Sequence, residues 1–363
     1  MKKLGFGLMR LPKKGLFTDI EQVKQMVDDF IERGFTYFDT AYVYNGSEAA
    51  AKKALVSRHR RDTYTLATKL NVNVAPSKKA AEKQLETSLS RTGAGYFDYY
   101  LLHAIMDNNY EKYEKYGLWD FVSQKKQQGV LKHIGFSFHA GPELLEKLLT
   151  QHPEVDFVQL QINYADWENP KVLSRANYEV ARKHGKQIVV MEPVKGGALA
   201  DPPAEVQKLF KAYAPEMSCA SWGIRFAASL PGVLTVLSGM SNTAQMQDNL
   251  SYMENFEPFC DAEQKIIQQA QIIMGSSAAI PCTACHYCTE GCPKNIPIPD
   301  IFAAANKQLA NGNAAQAADA YASAVNGKGR ASDCIECKQC ERVCPQHLEI
   351  AKHLKNCADM LEK

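Results

Sequence analysis

Two copies of one cysteine pattern constrain this chain more than any other feature of its sequence. Cys282, Cys285, Cys288 and Cys292, followed by Pro293, read C-x2-C-x2-C-x3-C-P, and Cys334, Cys337, Cys340 and Cys344, followed by Pro345, repeat it. Of 11 cysteines only Cys219 and Cys260 come before residue 280, and Cys357 is the one late cysteine outside the pattern. A secreted disulfide framework would not leave so long a stretch nearly free of cysteine ahead of it. The opening MKKLGFGLMRLPKKG also lacks an apolar run of signal-peptide length. The expectation is ligation by thiolates in a reducing, cytoplasmic setting.

Three thiolates at x2 intervals wrap three corners of an iron–sulfur cubane, and the fourth ligand comes from the other motif. One cluster is then expected on Cys282, Cys285, Cys288 and Cys344, the other on Cys334, Cys337, Cys340 and Cys292. The competing reading is two four-cysteine zinc sites. These need only paired C-x2-C knuckles, which leaves the third cysteine, the trailing proline and the repetition without a reason. In this spacing the tail resembles ferredoxins with two [4Fe-4S] clusters.

Ahead of the cysteines, eight short β-branched or aromatic runs alternate with amphipathic stretches: 4–9, 35–39, 64–69, 97–103, 131–137, 157–162, 187–192 and 233–238. Eight strand–helix repeats within roughly 250 residues suit a (β/α)8 TIM barrel. A Rossmann-like sheet is the alternative, but no GxGxxG follows the first run. We expect an α/β barrel over residues 1–274 and a mainly helical ferredoxin-like domain over 275–363. The joining helix is expected to break at Gly275-Ser276-Ser277, and the Ala-rich segment from about Asp300 to Asn326 should be helical.

Composition excludes some functions. With 42 Lys+Arg against 40 Asp+Glu there is no nucleic-acid footprint, and the basic run Arg58 to Arg61 reads as a solvated loop. No segment approaches the roughly 20 apolar residues that span a bilayer. A soluble protein is expected.

In such a barrel chemistry gathers where strands end at the C-terminal face. Asp39 ends the second run, Tyr44 follows it, Lys69 ends the third and His103 the fourth. Ionisable residues that end apolar runs are costly to bury unless they compensate one another. Together they make a proton donor: an ammonium favours the tyrosinate left behind, a carboxylate holds the ammonium, and a histidine faces the oxygen being protonated.

This order of residues, with GFGLMRLP and DTAYVYNGSE, resembles the aldo/keto reductase family across nearly all of the first domain. The resemblance implies a tetrad of Asp39, Tyr44, Lys69 and His103 and reduction of a small-molecule carbonyl by NAD(P)H. It further implies that Ser137 and Gln159 hold the nicotinamide carboxamide, and that Ser238, Gly239, Gln245 and Asn249 face the adenosine end. Three positions depart from the family. Phe138 stands where an Asn is usual, Met191 where an aromatic ring stacks on the nicotinamide, and Gln245 where an Arg pairs with the 2′-phosphate of NADP. Lys195 is a candidate for the missing charge, with an exposed loop lysine as the equal alternative. Phe138, His139, Tyr164 and Trp167 suggest an aromatic-lined mouth, with packing under a loop as the alternative.

A nicotinamide gives up electrons in pairs as hydride, whereas a [4Fe-4S] cluster takes one at a time, and a flavin normally mediates between them. The expected function is a carbonyl-reducing oxidoreductase. The alternative is an electron-transfer enzyme with a flavin such as FMN at the barrel mouth, exchanging electrons with ferredoxin or flavodoxin. A redox-sensing binding module is the third reading, and an intact tetrad argues against it.

Overall fold

The computed structural model describes residues 2–275, 279–309 and 312–362. Eight parallel strands close into a barrel: β1 (Leu4–Gly7), β2 (Tyr37–Asp39), β3 (Thr65–Leu70), β4 (Phe97–Ile105), β5 (Leu131–Phe138), β6 (Phe157–Gln161), β7 (Gln187–Met191) and β8 (Val233–Ser238). Each pairs with its neighbours in sequence, and β1 closes on β8 through Leu4 opposite Val236 and Phe6 opposite Ser238. The expected runs and the observed strands agree to within a few residues at every place.

Local chemistry sets the crossovers. The helix Lys78–Thr92 starts at Ser77, whose side chain accepts from the Ala80 N–H, and stops at Gly93 in the left-handed region. Asp19 caps Ile20–Glu32 in the same way through the Gln22 N–H. Such caps satisfy amides that the helix itself leaves unpaired. Phe30 of that helix packs on Phe6 and Phe38, ring centroids 5.9 and 5.3 Å apart, so the outward faces of β1 and β2 meet the helical layer.

Inside the barrel, Tyr37, Ala67, Tyr99, Leu101, Phe157, Val189 and Leu237 form one buried cluster. Gly135 of β5 belongs to this tight interior. A Cβ there would fall 2.3 Å from the Phe157 carbonyl oxygen, so the strand can approach only without a side chain.

The basic run is more than solvated. Arg58 grips Asp28 with both terminal nitrogens, at 3.0 and 2.6 Å, and Arg61 holds Asp98 at 2.7 Å. Among the described residues no helix is long and apolar enough to cross a membrane.

By packing, the chain divides into two compact units. The first holds the barrel. The second comprises Asp261–Lys363 together with Val194–Cys219, which follows β7, and Pro170–Val172. The helix Asp261–Gly275 and the segment after β7 thus pack with the cysteine-rich end, a different division from a single cut at 274/275. Residues 276 and 277 of the expected helix break lie outside the described residues. Helices Ile298–Leu309 and Ala314–Ala324 fill the interval between the motifs, as its alanine content implied. Around them Ile296, Ile301, Phe302, Ile350, Leu354 and Cys357 make a core of their own.

Candidate active site and cluster pockets

Alternation along a strand turns every second side chain to the same face. The interior residues Tyr37, Ala67, Leu101, Phe157 and Val189 each stand two positions before Asp39, Lys69, His103, Gln159 and Met191. The five therefore face the barrel axis one layer nearer the C-terminal end. Period-two placement alone brings them together.

Lys69 is wholly buried, and its Nζ donates to Asp39 Oδ1 at 2.5 Å and to the Thr40 carbonyl at 2.7 Å. Burial pushes the Lys69 pKa down and the Asp39 pKa up, and their mutual attraction opposes both shifts. Tyr44 is half-buried in the loop after β2, with Lys69 Nζ 5.0 Å from its ring centroid. The His103 ring meets it edge-on, centroids 5.6 Å apart. Burial, then the nearby Lys69, then His139 hold the His103 pKa well below its ordinary value, so the imidazole is neutral near pH 7. The tetrad positions read from the sequence thus converge at one place.

Some supporting residues were not singled out in the sequence. The register of β4 against β5 shifts between Leu102 and Ile105, where Ala104 takes a positive φ of 54°. The Ala104 N–H donates to Ser137 Oγ at 2.7 Å, Asn109 Nδ2 donates to the Ala104 carbonyl at 2.9 Å, and Tyr113 Oη donates to the His103 carbonyl at 2.5 Å. Behind Lys69, the buried Glu48 accepts from Thr68 Oγ1 at 2.9 Å and pairs with Arg91 at 3.2 Å. The acidic residue in NGSE was visible in the sequence, but its partner Arg91 lies 43 residues away.

The cofactor-side residues divide into two groups. Gln159 Nε2 donates to the Met191 sulfur at 3.4 Å, while Gln159 Oε1 is buried without a partner among the described residues. That leaves an acceptor suited to an amide donor. At the other end Asn249 donates to Ser238 Oγ at 2.6 Å and receives Tyr252 Oη. Gln245 Oε1 folds back to accept from the Ser241 N–H at 2.7 Å, beside Gly239 and the Asn242 cap of the helix Thr243–Met253. Lys195 is buried and belongs to the second unit, so it is not an exposed loop lysine. Phe138 and Tyr164 are buried as well. Tyr164 and Trp167 pack edge-on against Phe226, so these aromatics support the rim more than they line an open mouth.

In the second unit the eight motif cysteines border two cavities. Cys282, Cys285, Cys288 and Cys344 line one, and Cys334, Cys337, Cys340 and Cys292 line the other. Each cavity takes three thiols from one motif and the last from the other. Burial and then the neighbouring thiols push the Cys288 pKa far up, and Cys340 is pushed up to about 11, chiefly by burial. Thiols so crowded need a cationic group among them to lose their protons. Among the described residues no three ligand side chains converge on a point suited to one ion. A cubane spreads its iron corners and makes no such demand, so the donor sets fit [4Fe-4S] groups.

Comparison with known proteins matches both parts of the chain. Residues 3–272 match the aldo/keto reductase family, and residues 281–349 match the 4Fe-4S dicluster domain. An uncharacterized oxidoreductase of Bacillus subtilis, YqkF, is 23% identical over 282 residues, covering 69% of this chain and 86% of its own. The aldo-keto reductase str7 of Strobilurus tenacellus is 28% identical over 213 residues, 55% of this chain and 60% of its own. A solved aldo-keto reductase of Klebsiella pneumoniae in complex with NADPH superposes with a TM-score of 0.60 at 18% identity, covering 74% of this chain and 91% of that one. The chain belongs to the aldo/keto reductase family, and a 4Fe-4S dicluster domain follows its barrel.

Proposed function

We propose that the barrel reduces a small-molecule carbonyl, with Tyr44 as the proton donor. The observation that carries this is the buried Lys69–Asp39 pair set beside the Tyr44 ring, with a neutral His103 at its edge. A bound NAD(P)H supplies hydride to the carbonyl carbon. Tyr44 gives its hydroxyl proton to the carbonyl oxygen as charge develops there, and Lys69 stabilises the tyrosinate that remains. His103 is neutral and so orients the oxygen as a hydrogen-bond donor without adding charge. Tyr44, being half-buried, regains its proton from solvent. Ser137, the Gln159 Oε1 and Met191 would hold the nicotinamide. Ser238, Gly239, Gln245 and Asn249 would border the adenosine end.

Tyr44→Phe tests this, since it removes the donor and keeps the ring. Carbonyl reduction should fall roughly 10²-fold or more, with nicotinamide affinity retained. An unchanged rate would show that another group is the acid.

A second reading is favoured by the two four-cysteine cavities. Paired electrons arriving as hydride cannot enter single-electron clusters efficiently without a mediator, so turnover through the clusters requires a flavin near Tyr44 and His103. The clusters would then exchange electrons with ferredoxin or flavodoxin. Reduction of the clusters by NAD(P)H that is slow alone and fast with added FMN supports this reading. Normal carbonyl reduction by folded protein stripped of iron counts against it.

A further inference from the structure

The two cysteine motifs are equal in spacing, so equivalent positions can be compared directly. The residue after the first cysteine is Thr283 in one motif and Ile335 in the other. Thr283 is 1% exposed and Ile335 is 57% exposed. The cover over Thr283 is the Val194–Cys219 segment of the same unit, which meets it at Gly196. Gly196 has a φ of +67°, and a Cβ there would fall 2.2 Å from the Thr283 carbonyl oxygen. Backbone rests on backbone, and only glycine permits it. Among the described residues Ile335 has no such cover, being 57% exposed, and Cys337 is exposed where its equivalent Cys285 is half-buried.

Charge differs in the same sense. The residue after the second cysteine is His286 at the covered cavity and Lys338 at the bare one. The residue two beyond the fourth cysteine is Gln346 at the covered cavity and Lys294 at the bare one, exchanged between motifs as the crossed cysteines are. Both lysines are exposed, and Glu336 in the same loop offsets part of their charge.

We propose that the pocket of Cys334, Cys337, Cys340 and Cys292 is the port at which an acidic one-electron carrier protein docks, on Ile335, Lys338 and Lys294. The pocket of Cys282, Cys285, Cys288 and Cys344 is then the more covered of the two, at Thr283 and Cys285. This rests on the electron-transfer reading above. In each exchange one electron leaves the reduced carrier, which is oxidised, and enters the group in the bare pocket. No bond forms or breaks and no proton moves. Two exchanges supply two electrons, which together with one proton taken from solvent equal one hydride. An apolar contact flanked by two lysines gives a negatively charged carrier both attraction at a distance and a dry contact.

The test uses anaerobic, iron-loaded full chain and reduced flavodoxin as the probe, mixed rapidly at low salt. Lys294→Glu with Lys338→Glu should lower the second-order rate of cluster reduction by ~10-fold or more and flatten its salt dependence, while dithionite reduces wild type and variant alike. If charge reversal costs iron, Lys294→Gln with Lys338→Gln should give a smaller fall in the same direction. Equal flavodoxin rates for wild type and an iron-loaded variant overturn the port alone. A wild type that dithionite reduces and flavodoxin does not overturns the electron-transfer reading with it. A chelator followed by alkylation gives a readout without turnover. Cys334, Cys337, Cys340 and Cys292 should be labelled before the other four, and simultaneous or reversed labelling overturns the asymmetry.

Discussion

The barrel mouth and the cluster pockets both bury ionisable groups, and they do so in opposite ways. At the mouth unlike groups meet, because Lys69 carries its own counter-charge in Asp39 and a backbone acceptor in Thr40. In the pockets like groups meet, four thiols to each, and burial, then neighbouring charge, pushes the Cys288 and Cys340 pKa values up. Folding alone completes the first site. The second is completed only by what it binds, and its ligand energy is folding energy.

That contrast can be broken most decisively by removing iron. Protein made without oxygen should hold about eight iron and eight sulfide, the content of two cubanes. Once chelated, the helices of the second unit should become open to protease while the barrel stays resistant. Stoichiometric zinc, or a chelated tail that resists digestion as before, would break the comparison.

The next largest effect is expected at the mouth. Lys69→Met leaves the Asp39 carboxylate buried alone and should cost ~3–5 kcal/mol in urea unfolding. Adding Asp39→Leu should recover much of that loss. A single variant as stable as wild type would mean that the pair does not compensate itself. The Tyr44→Phe loss of roughly 10²-fold ranks after it and sharpens the same point, because it touches rate and leaves stability nearly unchanged.

The smallest effect is a pH slope. Buried His103 stays neutral in the fold, while in the unfolded chain it takes up a proton below its ordinary value of 6.5. The unfolded state then binds more protons, so stability rises with pH in this window and is lost as pH falls below 6.5 towards the depressed native value. His103→Gln should remove up to about 1.4 kcal/mol per pH unit of that slope. Unfolding midpoints at pH 5 and pH 7 measure it, and an unaltered slope assigns the dependence to other groups.

Much of this was legible in the sequence because it is local. Eight apolar runs alternating with amphipathic stretches gave the barrel, and strand-end positions gave Asp39, Lys69 and His103. Cysteine spacing gave the donor sets, and the cavities agree with the crossed grouping. What stayed hidden depends on residues far apart in the chain. Glu48 reads as one more helix-start acid until Arg91 closes on it. Lys195 and Gly196 read as a loop after a strand, and nothing nearby says that their packing partner begins at Thr283. Phe138 and Tyr164 have the composition of a ligand-binding rim, yet neighbours such as Phe136 and Phe226 take up their faces.

The bulge at Ala104 has a consequence for how such a barrel can change. A regular strand transmits every insertion at its end back along its own alternation, and a slip of one residue turns all its side chains over. Here the irregularity sits directly after His103 and is tied down by Ser137, Asn109 and Tyr113. It works as a mechanical fuse. Changes of length or sequence beyond Tyr113 stop at those three bonds before they can rotate the imidazole. The loops over this face can therefore change while the His103 imidazole stays where it is.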